Sequence, residues 1–244
     1  MRIVKESNLQ VKGFDFTCDE KCDVPDPLYK HTNWIYGLVG KAGSGKTSLA
    51  LSLIALKKKF YNRKFHNVFI VSPSMRSLRN SPLDKLPDDQ KFETLNDDVL
   101  DKLQEAIEQN GESNLIIFDD IPALLSSAKK QVADRIAHMI YNRRHFANDG
   151  DGGSLSFMFL FQVYISGIPL RIRKSFDGIF FFRSSNKKEI ETLREEWGNM
   201  FDKKQWRRLL TFAWTGNKHN FLFIKTRVDE KQMFYRNFDL IGFD

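Results

Sequence analysis

One segment of the chain has the residue types and the spacing that bind a polyphosphate. Residues 40–47 match the pattern G-x-x-x-x-G-K-[ST]. Its glycines let backbone N–H groups turn inward around a phosphate, and the N-terminus of a following helix adds positive potential. Lys46 is expected to reach the β- and γ-phosphates, and the Thr47 hydroxyl to hold Mg²⁺. The sequence therefore predicts a site for ATP and Mg²⁺ at Gly40, Lys41, Ala42, Gly43, Ser44, Gly45, Lys46 and Thr47.

An acidic pair follows an apolar run farther along the chain. Residues 115–118 are all apolar and lead directly into Asp119 and Asp120. A strand that ends in carboxylates is typical of the metal side of a nucleotide site. We expect Asp119 to hold Mg²⁺ through its water shell and Asp120 to orient the attacking water. An alternative interpretation is that both residues only cap the next helix.

Gln162 is a third polar position at the end of an apolar run. Ligands of open α/β sheets bind outside the carboxyl ends of the strands, so Gln162 is expected to sense the γ-phosphate. It could also simply end a strand in solvent. Arginines that could neutralise charge in a neighbouring subunit's site, or could instead be solvated, are Arg143, Arg144, Arg171, Arg173 and Arg183.

The elements that must position these residues follow from the hydrophobic pattern. Short runs that are apolar on both faces predict strands, and stripes with a period of about 3.6 predict helices between them. This alternation indicates an α/β fold with a mainly parallel central sheet and helices on both faces. The predicted strands are 34–39, 68–71, 115–118, 157–161 and 179–182, and the helical stripes are 49–60, 99–107, 132–140 and 190–197.

The pattern divides the chain into an arm and one large domain. Residues 1–32 are polar and show no sustained periodicity, so we expect an N-terminal arm. Residues 33–244 are expected to form the nucleotide-binding domain, with a C-terminal β-rich extension from about residue 211. The glycine-rich segment 148–154 is predicted to be a loop before the fourth strand.

The composition excludes several classes of protein. Of the 244 residues, 41% are apolar and 22 are Phe, which permits a large core and argues against disorder. Two cysteines cannot build a disulfide scaffold, and no apolar run approaches the roughly 18 residues that span a bilayer. We expect a soluble protein that is not secreted. The net charge of +7 is a mild indication of a polyanionic partner.

The ordered set of segments resembles the FtsK–HerA superfamily of P-loop ATPases. Within it, the chain is similar to the poxvirus-type genome-packaging ATPases of large DNA viruses and virophages. The likeness extends over about residues 25–240. It is carried by residues 39–47, 72–74, 116–120 and 142–145, by Gln162 with Pro169, Ile172 and Arg173, and by Phe234 to Asn237.

This resemblance implies a RecA-like core that assembles into a homo-oligomeric ring of five or six subunits. Such a ring uses ATP hydrolysis to move double-stranded DNA, without reading its sequence, into a capsid. Capsid or portal components are then further partners, and the host cytoplasm at viral assembly sites, or the virion, is the location. The resemblance also implies that Gln162 is the sensor and that Arg173 acts in trans. Asp120 departs from the Glu that many relatives have there, which leaves the identity of the base open.

Other classes of P-loop protein remain as alternatives. Lys41, directly after the first glycine, resembles the deviant loop of dimeric partitioning ATPases, although Ala42 stands where that family prefers glycine. A P-loop kinase would place its acidic strand soon after the first helix. GTP specificity is disfavoured because residues 217–220 read Asn-Lys-His-Asn and lack the Asp that pairs with guanine. A non-enzymatic DNA-binding protein would be expected to have lost Lys46 and Asp119.

Basic clusters are candidates for contact with DNA phosphates. A motor that does not read the DNA sequence must hold the phosphates of the DNA backbone, and such contacts make binding strongly salt-dependent. Each cluster could equally be a solvated face. The clusters are Lys57–Lys59, Arg171–Lys174, Lys187–Lys188 and Lys203–Arg208.

Overall fold

A ten-stranded sheet organises the chain. The computed structural model describes residues 2–5, 24, 26–56, 60–110, 113–120, 125, 130–143, 154–166 and 168–243. The strands are β1 (Arg2–Lys5), β2 (Ile35–Val39), β3 (Asn67–Val71), β4 (Lys91–Phe92), β5 (Ser113–Asp119), β6 (Ser154–Phe161), β7 (Gly178–Phe182), β8 (Phe221–Lys225), β9 (Phe234–Arg236) and β10 (Asp239–Gly242). Their order across the sheet is β1-β10-β9-β8-β7-β2-β6-β5-β3-β4.

The sheet has a parallel part and an antiparallel extension. Strands β7, β2, β6, β5, β3 and β4 pair in parallel, while β8, β9, β10 and β1 are added to β7 by antiparallel pairing. Every residue of β2 and β7 is buried, as expected for strands that helices cover on both faces. The predicted α/β fold with a mainly parallel central sheet is therefore confirmed.

Helices pack on both faces of this sheet. They are α1 (Lys46–Ala55), α2 (Asp97–Asn110), α3 (Lys130–Tyr141), α4 (Leu170–Arg173), α5 (Lys187–Trp197) and α6 (Lys203–Trp214). The apolar sides of α2, α3, α5 and α6 share one core cluster, and α1 packs into a second cluster. None of the helices in the described ranges is long and apolar enough to cross a membrane.

Local capping signals set the ends of the last two helices. The Asn186 side chain accepts hydrogen bonds from two backbone N–H groups at the start of α5, and Gly198 follows its last residue. The Asp202 side chain and Gln205 form a reciprocal capping box at the start of α6. The far end of α6 reaches the carboxyl end of β7, where the Trp214 indole N–H donates to the Phe181 carbonyl at 3.0 Å.

The structure departs from the sequence-based expectation by adding β4, α4 and α6, and it differs in three further places. Residues 2–5 of the expected N-terminal arm form the edge strand β1, because backbone pairing with β10 requires no apolar periodicity. Residues 211–214, expected to begin the β-rich extension, are the last turn of α6. Helix α1 ends at Ala55, so Phe60 of the predicted stripe is buried outside the helix.

Candidate nucleotide site

The phosphate-loop motif, the acidic pair and Gln162 meet at one edge of the sheet. Strands β2, β6 and β5 are adjacent and parallel, so their carboxyl ends lie side by side. The Gly40 N–H donates to the Phe161 carbonyl at 3.1 Å, and the Asp120 N–H donates to the Leu160 carbonyl at 3.0 Å. A cavity of about 470 Å³ opens there, lined by the loop and the start of α1, the acidic pair, the end of β6 with Gln162, and Ser74 and His219.

Two glycines give the loop its shape. Gly43 has φ of 75° and Gly45 has φ of 107°, a left-handed conformation that side-chain-bearing residues rarely adopt. A Cβ atom added at Gly43 would meet nothing within 4 Å, so the conformation rather than crowding accounts for glycine there. Gly45 immediately precedes α1, whose first N–H groups are therefore directed toward the cavity.

Lys46 lies folded over this loop. Its Nζ atom donates to the Gly40 carbonyl at 2.5 Å and to the Lys41 carbonyl at 3.1 Å. Burial lowers the pKa of the Lys46 amine, and the nearby charges of Asp119 and Asp120 oppose that shift. The amine is thus held between the loop and the acidic pair, where a bound polyphosphate would meet it.

The two residues of the acidic pair differ in their contacts and in their backbone conformation. Asp119 is the last residue of β5, and its Oδ2 atom accepts a hydrogen bond from the Ser72 hydroxyl at 3.1 Å. Burial raises the pKa of Asp119, and the Ser72 hydrogen bond opposes the shift. Asp120 has φ of 53°, which turns the chain at the strand end. Residues 121–124, where the pair would cap a following helix, lie outside the described residues.

The donor set fits a metal-bound polyphosphate. Backbone N–H groups of the loop and the Lys46 amine are suited to phosphate oxygens. The Thr47 hydroxyl and the Asp119 carboxylate supply the oxygen ligands that Mg²⁺ prefers. Gln162 is exposed at the end of β6 and lines the same cavity, so its amide can reach a ligand there. Each predicted loop, metal and sensor residue is therefore at this edge of the sheet.

Arg173, expected to reach into a neighbouring subunit, is instead buried within its own chain. It is 6% exposed, and its guanidinium pairs with Glu196 at 2.7 Å. The same group donates to the carbonyls of Tyr164, Ile165 and Ile168 at 2.9–3.3 Å. An arginine with these partners cannot extend to another subunit without breaking them, so the expected role in trans is corrected to a structural one.

Replacing the buried Arg173 side chain is expected to lower the stability of the fold. Arg173→Ala would leave the Glu196 carboxylate without its cation, and removing one partner of a buried pair typically costs about 3–5 kcal/mol. We expect a loss of that order in the free energy of unfolding, measured by urea denaturation. The control is Arg171→Ala, whose partner Asp134 and own side chain are both exposed, with a cost of about 1 kcal/mol or less. Lost ATP hydrolysis at unchanged stability would contradict the correction.

The other arginines considered for a role in trans differ in how exposed their side chains are. Arg143 is buried and pairs with Asp177 at 3.5 Å, so it is also part of the chain's own packing. Arg144 lies outside the described residues. Arg183 is exposed and directly follows β7, next to the phosphate loop. Lys41 Nζ donates to the Ser185 hydroxyl at 3.2 Å, which places this segment beside the loop.

Sequence reasoning gave no role to two residues that contact this site. Ser72 directly follows β3, and its hydroxyl donates to Asp119; in the sequence it stands only within a segment that carries the resemblance. His219, considered only within a sequence that resembled a guanine-binding motif, lines the cavity. The position of His219 could not be predicted from the sequence. The antiparallel pairing of β8 with β7 brings this residue to the edge of the sheet, and such pairing leaves no local sequence pattern.

Comparisons with known proteins bear on the fold. No protein-family model matches the chain, and no curated protein matches it. Among solved structures, the genome-packaging NTPase B204 of Sulfolobus turreted icosahedral virus 2, in complex with ATPγS, is 17% identical with a TM-score of 0.55 and covers 80% of this chain and 93% of that one. The DNA-packaging ATPase B204 of Sulfolobus turreted icosahedral virus is 15% identical with a TM-score of 0.57, covering 82% and 95%. The chain thus has the P-loop NTPase fold of these viral packaging proteins, as the resemblance implied.

Proposed function

We propose that the chain is an ATPase that moves double-stranded DNA into a viral capsid. The observation that carries the proposal is the single cavity in which the phosphate loop, Asp119, Asp120 and Gln162 meet. Support comes from the fold, which is shared with proteins described as genome-packaging NTPases, one of them in complex with ATPγS. A P-loop kinase would share the loop but would have no reason to respond to long DNA.

The residues of the cavity have separate roles in the proposed hydrolysis. Lys46 binds the β- and γ-phosphates, and Thr47 and Asp119 hold Mg²⁺, which when bound neutralises phosphate charge. Asp120 orients the attacking water and accepts its proton, and Gln162 contacts the γ-phosphate or that water. The Ser72 hydrogen bond keeps Asp119 turned toward the cavity.

The proposal includes a homo-oligomeric ring, which acts at viral assembly sites with a capsid or portal component. In a ring, an arginine of one subunit neutralises charge that develops in its neighbour's site. Arg183 fits this role better than Arg173, because its side chain is exposed beside the loop edge. Assembly then makes hydrolysis depend on contact between subunits.

The exposed side of α6 is the DNA contact in this proposal. Lys204, Arg207 and Arg208 are exposed along it and line a groove of about 660 Å³ with Thr211 and Thr215. The helix packs its apolar side on the sheet through Trp206, Leu209, Leu210 and Ala213, so its basic side faces outward.

Removing the positive charges on the exposed side of α6 is expected to weaken binding to DNA of any base sequence. For the triple variant Lys204→Ala, Arg207→Ala, Arg208→Ala, we expect the slope of log affinity against log salt to fall by about three, since each lost phosphate contact removes about one. The matched control removes three scattered exposed lysines, Lys64, Lys102 and Lys231. Equal losses in both variants, measured by fluorescence anisotropy, would show that net charge rather than this face binds DNA.

The experiment that tests the proposed function is ATP hydrolysis with and without long double-stranded DNA, at low and moderate salt. We expect DNA to stimulate hydrolysis and added salt to remove the stimulation, because the contact is made to phosphates. Hydrolysis that ignores DNA under both conditions would favour a kinase or a switch over a translocating motor.

A further inference from the structure

The segment between α6 and β8, residues 215–220, reaches across to the phosphate loop. Strand β8 runs antiparallel to β7, with Phe221 paired to Phe182, so this segment lies at the same edge of the sheet as the end of β2. His219 Nδ1 is 2.9 Å from the Ser44 carbonyl oxygen. A Cβ atom built on Gly45 would lie 3.2 Å from the same nitrogen. The ring therefore packs directly against the loop backbone.

The shape of this segment is set by the chain itself. Asn220 Nδ2 and an Arg236 guanidinium nitrogen donate to the Thr215 carbonyl at 2.8 and 2.6 Å. Asn237 Nδ2 donates to Asn220 Oδ1 at 3.1 Å. Arg236 and Asn237 belong to the stretch 234–237 that carries part of the family resemblance and has no other role in the site. The segment is thus held in place without a ligand.

One nitrogen of the His219 ring is left available. A carbonyl oxygen only accepts, so Nδ1 must be the donor toward Ser44. The other ring nitrogen, Nε2, has no hydrogen-bond partner among the described residues, and the side chain is exposed where it lines the nucleotide cavity. A ring that is held at one nitrogen, free at the other and part of the cavity lining is suited to contact a ligand.

The layout of the cavity indicates which part of the ligand it would meet. The acidic pair and Gln162 come from β5 and β6, on one side of β2, and they mark the end where the γ-phosphate and metal lie. His219 comes from the opposite side, where β7 and β8 lie. A triphosphate held by the loop directs its nucleoside away from the acidic pair.

We propose that residues 215–220 form the nucleoside side of the site, and that His219 both supports the phosphate loop and contacts the nucleoside half of bound ATP. This inference rests on the proposed function, because it takes ATP as the ligand. It gives the C-terminal strands β8 and β9 a part in nucleotide binding.

The test compares ATP with inorganic tripolyphosphate, which has the phosphates but no nucleoside. Binding of each to the full chain with Mg²⁺ is measured by calorimetry. We expect His219→Ala to weaken ATP binding about tenfold more than tripolyphosphate binding, about the effect of one hydrogen bond. His219→Asn keeps a donor close to the position of Nδ1, so it should restore tripolyphosphate binding while leaving ATP binding weak. Lys231→Ala, exposed between β8 and β9 and outside this segment, is the control and should change neither affinity.

Other outcomes overturn the inference. If His219→Ala weakened both ligands equally and His219→Asn restored both, the histidine would support the loop without touching the nucleoside. If His219→Ala changed neither affinity, the segment would have no part in the site. If the unmodified chain bound tripolyphosphate but not ATP, the proposed function would fail first, and this inference with it.

Discussion

Lys46→Ala is expected to abolish ATP hydrolysis and to weaken ATP binding. The Lys46 amine lies over the loop carbonyls of Gly40 and Lys41 and beside the acidic pair. The amine of the other loop lysine, Lys41, contacts Ser185 instead and cannot replace it. Removing one preorganised charge from the reacting phosphates typically costs about a hundredfold to a thousandfold in turnover. The measurement is steady-state phosphate release together with ATP affinity, on protein whose unfolding transition matches that of the unmodified chain.

Lys41→Ala is the matched control, since it removes the other lysine of the loop. The Lys41 amine reaches the exposed Ser185 hydroxyl and is not directed into the cavity, so we expect hydrolysis to change little. Loss of hydrolysis in Lys41→Ala with retention in Lys46→Ala would contradict the site assignment. It would favour the dimeric partitioning ATPases, in which the additional lysine acts across the dimer.

Asp120→Asn is expected to retain ATP binding and to lose most turnover. The amide has the shape of the carboxylate but cannot accept the proton of the attacking water, and general-base catalysis contributes about a hundredfold to ten-thousandfold. The backbone tolerates the change, because Asp120 has φ of 53° and Asn adopts that region more readily than most residues. Single-turnover hydrolysis and equilibrium ATP binding, measured on the same preparation, separate the two effects.

Asp119→Asn provides the comparison for the other carboxylate. Asp119 holds its position through Ser72 and is assigned to the metal, so its loss should lower the affinity for ATP in the presence of Mg²⁺. If Asp119→Asn and Asp120→Asn lowered ATP affinity and turnover alike, the separate roles assigned to the two acids would be wrong.

The parallel part of the fold could be predicted because its signals are local. Buried strands such as β2 and β7 are short runs apolar on both faces, and α2, α3 and α5 show a clear helical stripe. The loop motif lies between such a strand and α1, so its place at the sheet edge followed from the strand before it. Sequence reasoning therefore located the nucleotide cavity from elements adjacent to the motif.

The C-terminal part was harder to predict because its contacts are distant in sequence. Helix α6 has an apolar stripe at Trp206, Leu209, Leu210 and Ala213, but the basic residues between them interrupt this stripe in the sequence. The positions of His219 and Arg173 also depend on contacts that are distant in sequence. Antiparallel pairing brings His219 to the phosphate loop, and the ion pair with Glu196 holds Arg173 in the interior of the chain. Neither partner is marked by any spacing in the sequence.

Strand displacement from a triple helix measures directly whether ATP hydrolysis moves this protein along double-stranded DNA. A labelled third strand is annealed to one end of a long duplex, and its release is followed after ATP is added. We predict release with ATP that is lost in Lys46→Ala and absent with a non-hydrolysable analogue. Active, DNA-stimulated hydrolysis without release of the third strand would contradict the proposed motor function, because the energy would then not be coupled to movement along the duplex.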